Sequence, residues 1–60
     1  MNTWKYYIET ADEQEFEFDD FEPCILKAAQ LIKSGADVMW IECIMFDKNG
    51  NAVEANLIRN

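Results

Sequence analysis

Hydrophobic and polar positions alternate from the start of the chain. Trp4, Tyr6 and Ile8 interleave with Lys5, Tyr7 and Glu9, and this period of two predicts a strand over 3–9. A polar stretch, Thr10 to Gln14, separates it from Glu15, Phe16, Glu17, Phe18 and Asp19, where phenylalanines alternate with carboxylates. That second pattern predicts a half-buried strand pairing with the first as a hairpin. The alternative is one strand followed by a long acidic loop that pins Phe16 and Phe18 to the core. The period then changes. Phe21, Cys24, Ile25, Ala28, Leu31 and Ile32 recur at helical spacing, with Lys27, Gln30 and Lys33 on the wet side. Asp19 or Asp20 is placed to cap the helix N-terminus through its side chain. Glu22 and Pro23 suit the first turn, and Ser34 and Gly35 end it, with Gly35 as the left-handed residue.

Asp37 to Phe46 is a nearly continuous apolar run of strand length, so it is expected in the sheet interior. Asn49 and Gly50 predict a two-residue hairpin turn into a return strand over 52–58. That register sets Phe46 against Val53, Ile44 against Ala55 and Glu42 against Leu57, and this face is expected to take the helix. Glu42 fits poorly there and is expected at the sheet margin or beside a bulge. The opposite face, Met39, Ile41, Cys43 and Met45, reads as core or as a dimer seam. The sum is an α+β fold, ββαββ, one helix on a small antiparallel sheet, with βαββ as the alternative. With 60 residues the chain is expected to be one domain, 1–60.

Composition narrows the function. Five bases face twelve acids, which excludes phosphate-driven binding to nucleic acid. There is no histidine and only one serine, Ser34, so no usual nucleophile–base pair can be assembled and a non-enzyme is expected. Cys24 and Cys43 read as small buried hydrophobes in a reducing cytoplasm. The N-terminus has no apolar core of a signal peptide, and no apolar run is long enough for a bilayer. Asp47, Asn49 and Asn51 imitate the start of an EF-hand loop, but Ala52 and Ile58 stand where glycine and glutamate belong, so the hairpin is preferred. No metal and no cofactor are expected.

The charge is localised. Glu9, Asp12, Glu13, Glu15, Glu17, Asp19, Asp20 and Glu22 all fall within 9–22, which contains no base, while the rest of the chain is close to neutral. Glu15, Glu17 and Asp19 are expected to project from one strand face at steps of about 6.6 Å. Eight carboxylates match the charge of about 14 Å of duplex DNA. The run therefore reads either as a solubilising face or as a decoy for a groove lined with Lys and Arg. Tyr7, on the strand face opposite Trp4, Tyr6 and Ile8, is the candidate aromatic anchor.

A small, acidic, aromatic-rich chain of this type resembles the phage-encoded inhibitors of bacterial defence, above all the anti-CRISPR proteins that act as DNA mimics. The resemblance rests on the run Glu9–Glu22 and the compact α+β pattern. It implies a stoichiometric blocker of the DNA-reading groove of a CRISPR effector, acting in the cytoplasm of a bacterial host. The expected partner is a basic nucleic-acid-binding protein, with no direct contact to nucleic acid or membrane, and the protein itself is a monomer or a homodimer. The alternative is a small homodimeric interaction module whose acidic face gives only solubility.

Overall fold

A computed structural model describes residues 2–59. The chain forms β1 (Thr3–Thr10), β2 (Glu15–Phe18), α1 (Phe21–Lys33), β3 (Val38–Phe46) and β4 (Ala52–Arg59). The strands make one antiparallel sheet in the order β2-β1-β3-β4. The fold is ββαββ, and the first hairpin forms in place of the acidic loop.

Both hairpins close with the same three-residue loop. In the first, the Thr10 N–H donates to Gln14 O at 3.0 Å and the Glu13 N–H to Thr10 O at 3.0 Å. In the second, Asp47 N–H donates to Asn51 O at 2.9 Å and Gly50 N–H to Asp47 O at 3.0 Å. This corrects the two-residue turn expected at Asn49 and Gly50. The Asp47 carboxylate is why the longer loop wins: it accepts from the N–H groups of Asn49 at 2.9 Å and Asn51 at 3.0 Å, satisfying donors the turn would leave open. These bonds hold its pKa below the usual carboxylate range, with the Asn51 backbone bond the largest cause. Both loops need a left-handed residue in the same place. Gly50 supplies it at φ 85°, and Glu13 at φ 69°.

Helix α1 starts after Asp20, whose backbone is extended as an N-cap requires, but its side chain makes no capping bond. The C-terminus is closed by backbone bonds and by the Ser34 hydroxyl, which donates to Leu31 O at 2.8 Å. Gly35 N–H donates to Ile32 O at 3.1 Å and Ala36 N–H to Leu31 O at 2.9 Å, with Gly35 at φ 91°. Lys27, expected on the wet side, is half-buried: its ammonium donates to Gln30 Oε1 at 3.4 Å and also lies 5.0 Å above the Phe16 ring, a cation–π contact to β2.

The core is small. Ile8, Cys24, Ala28, Leu31 and Ile41 are buried, with Tyr6, Phe16, Phe18, Ala36 and Val38 packed around them. Phe21 and Ile32, expected within the apolar stripe, are both substantially exposed, although Phe21 meets Tyr6 edge-to-face at 5.8 Å. The cysteines are free, and only Cys24 is fully buried, which pushes its thiol pKa up.

The helix packs on β1, β2 and β3 and leaves β4 uncovered. It takes the face of Ile41 and Cys43, not the expected face of Glu42, Ile44 and Phe46. The reason lies in β1. Ile8 pairs with Phe16 on one side and Ile41 on the other, so the helix-facing side of β1 selects the odd-numbered residues of β3. Ile44 does pair with Ala55 and Glu42 with Leu57, but Phe46 faces Ala52, because Val53 is bulged out of register. Ile58 and Met39 are extra residues at two further shifts. Met39 is therefore exposed, while Ile41 on the same expected stripe is core.

The two hairpin loops give a matched test. Glu13→Gly is expected to raise stability by about 1 kcal/mol by removing left-handed strain. Gly50→Ala is expected to lower it by about 1 kcal/mol through strain alone, since an added Cβ meets nothing within 4 Å. Urea unfolding of both variants checks the pair.

Candidate functional site: an acidic open face of the sheet

With the helix on one side, alternation sends every second strand residue to the other. The open face is built of rows running across the sheet. One row is Glu15, Glu9 and Trp40; the next is Glu17, Tyr7, Glu42 and Leu57; a third is Asp19, Lys5, Ile44 and Ala55. Each row begins acidic at β2 and ends apolar at β3 or β4. The face is thus divided into a carboxylate half and an apolar half that meet along β3.

The acidic half carries one base. Lys5 Nζ lies 3.2 Å from Asp19 Oδ1, and this hydrogen bond is the largest cause of its raised pKa. By register Arg59 falls on the helix side, opposite Ile41. Lys27 and Lys33 are on the helix and Lys48 is in a turn, so Glu9, Glu15 and Glu42 have no cation of their own among the described residues, while Glu17 lies in the field of Lys5. Tyr7 bonds along its own row: its hydroxyl donates to Glu17 Oε2 at 2.9 Å. Burial, that bond and the charges of Glu17, Glu15 and Glu42 push its pKa up to about 12. Tyr7 is half-buried rather than a protruding anchor. Glu9 is also raised, first by burial and then by Glu15 directly opposite, with Glu13 and Glu42 adding to it. Like charges opposite one another oppose folding.

Between these rows lies a shallow depression of about 260 Å³, walled by Tyr7, Glu9, Glu15, Trp40, Glu42 and Ile44. It can receive a cationic group: the walls offer carboxylate oxygens and aromatic side chains and no competing ammonium. Among the described residues, no group of three or more carboxylate or thiol side chains is arranged to hold a metal ion.

The eight acidic residues singled out in the sequence do not form one surface. Glu9, Glu15, Glu17 and Asp19 share the open face. Asp12 and Glu13 sit in the β1–β2 turn, where Asp12 accepts from the Thr10 hydroxyl. Asp20 and Glu22 flank the helix start. The sequence reading omitted Glu42, Trp40 and Ile44. Their signal was present: Glu42 is the lone charge inside an apolar strand, with Trp40 and Ile44 two residues to either side. No helix among the described residues is long and apolar enough to cross a membrane. No protein-family model, curated protein or solved structure matches the chain.

The crowding of carboxylates sets a pH dependence. A carboxyl whose folded pKa is raised binds its proton more tightly in the fold, so stability rises as pH falls through that raised value toward the ordinary one of 4.5. The melting temperature is expected to increase on mild acidification from pH 7 towards pH 5. Glu9→Gln is expected to melt higher at pH 7 and to lose the increase. Thermal unfolding by circular dichroism at both pH values checks this.

Proposed function

We propose that this protein is a non-enzymatic inhibitor that binds a basic nucleic-acid-binding surface as a DNA mimic, in the manner of the anti-CRISPR proteins it resembles, with a CRISPR effector as the partner. The observation that carries the reading is the open sheet face, where Glu9, Glu15 and Glu42 stand without a neutralising base among the described residues and Glu17 and Asp19 share the single charge of Lys5. A face of that kind is drawn to a groove lined with Lys and Arg by the same long-range field that draws nucleic acid there. Asp12, Glu13, Asp20 and Glu22, at the two ends of the strands, extend that field without joining the face. Mutual repulsion among these groups disfavours the isolated fold, and contact with a basic partner relieves it.

The test is a gel-shift assay of a purified CRISPR effector complex with its target duplex. The wild-type protein is expected to block DNA binding at stoichiometric amounts, less effectively as salt rises. Glu15→Lys, Glu17→Lys and Asp19→Lys combined are expected to weaken the block by more than about tenfold. Because Asp19→Lys breaks the pair with Lys5, the double variant Glu15→Gln/Glu17→Gln is run beside it. Undiminished inhibition by the folded variants, or a block indifferent to salt, overturns the reading.

A further inference from the structure

The division of the open face says more than its charge does. The apolar half, with Trp40, Ile44 and Phe46 on β3 and Ala55 and Leu57 on β4, is covered by no helix or strand among the described residues; Leu57 is 59% exposed. The helix that covers the other side does not reach β4 on either face. An apolar area beside a carboxylate area, joined at a concave centre, fits a partner with the reciprocal arrangement. We propose that this open face, centred on the depression between Trp40 and Tyr7, is the docking surface, and that the depression takes an arginine or lysine side chain which the partner presents beside an apolar segment. The inference rests on the proposed function and adds the site and the chemistry of its occupant.

Three observations select that occupant. The first is charge. Glu9, Glu15 and Glu42 reach the depression from three different strands, and the one nearby base, Lys5, is held by Asp19. The second is the nature of the walls. Trp40 and Tyr7 line it with aromatic side chains, the residue type that attracts a cation, and Ile44 provides an apolar margin for the stem of a long basic side chain. The third is area, which speaks against a second copy of this chain. The β3–β4 part of the face spans about 26 Å by 10 Å, well below the roughly 800 Å² that each partner gives to a stable interface. A second copy could enlarge its contact only by covering β1 and β2. It would then press carboxylates against carboxylates, or bury them against apolar surface with no partner. A basic, partly apolar protein can use the whole face.

Glu42 distinguishes this site from a diffuse acidic field. It lies outside the acidic run, at the boundary between the two halves, and pairs with Tyr7 on one side and Leu57 on the other. Glu42→Gln removes one like charge from a crowded row, so the variant is expected to fold at least as well as wild type. The comparison variant, Asp12→Asn/Glu13→Gln/Asp20→Asn/Glu22→Gln, removes four charges from the ends of the strands and leaves the face intact.

The probe is a capped hexapeptide of three arginines followed by three leucines, titrated into the full chain and followed by ¹⁵N NMR at low salt. The indole N–H of Trp40 and the amides of Tyr7, Glu42 and Ile44 are expected to shift together. The indole of Trp4, which lies on the helix side beside Met45, serves as the internal control and is expected to stay. Glu42→Gln is expected to weaken binding at least about fivefold, and the fourfold variant less than about threefold, although it loses more charge. If the fourfold variant binds more weakly than Glu42→Gln, or the Trp40 indole does not move, the docking surface is overturned. The effector assay then decides the proposed function separately, since a diffuse field would still block DNA. Sedimentation of the free protein as a dimer with Trp40 protected also overturns the inference, because a second copy would hold the face.

Discussion

Everything in this fold follows from the row Phe16, Ile8 and Ile41 beneath the helix. Ile8 is fully buried there, between the partners that pairing assigns it on β2 and β3. Cys24, Ala28 and Leu31 of the helix close over the row. Strand geometry allows no independent choice afterwards. If Ile8 faces the helix, Tyr7 and Glu9 face away; if Ile41 pairs with Ile8, then Trp40 and Glu42 face away as well. The acidic open face is the other side of the same arrangement. Burying one apolar row places carboxylates from three strands together.

That arrangement has an energetic consequence. The buried core is five side chains, and a small core leaves little margin. Glu9 opposite Glu15, with the like charge of Glu42 in the next row, acts against it. Opposite charges across from each other stabilise a sheet, and the nearly neutral second hairpin with its Asp47-braced turn follows ordinary rules of stability. The repulsion is confined to one face, and it is the face without a helix. A surface that lowers the stability of the free chain yet gains from a cation is the physical profile of a binding site, and it ties the raised pKa of Glu9 to the proposed function.

The edges of the sheet bear on how that face meets other molecules. β2 is four residues long with outward carboxylates, and β4 is displaced from regular pairing at Val53 and Ile58. Short, charged or bulged edges resist strand addition. The proposed docking surface is accordingly the open face and neither edge.

Local chemistry was legible in the sequence because its causes are local. Alternation over Trp4 to Glu9 and Glu15 to Phe18 marked strands, the spacing of Cys24, Ala28 and Leu31 marked the helix, and Gly35 and Gly50 marked its end and the second turn. The alignment of Glu15, Glu17 and Asp19 was equally readable, since period two along one strand puts them on one side. What could not be read was which face of β3 the helix would take. Met39 to Phe46 is apolar on both faces except at Glu42, and that single charge was outweighed by the hairpin register that put Phe46, Ile44 and Leu57 on its side. Pairing with β1, distant in sequence, made the choice and moved Glu42 from an awkward place under the helix to the centre of the open face. The elements, their order and the local excess of charge follow from the chain's own pattern. Which carboxylates stand together follows from the fold, because that depends on register between strands and on the one face a single helix is able to cover.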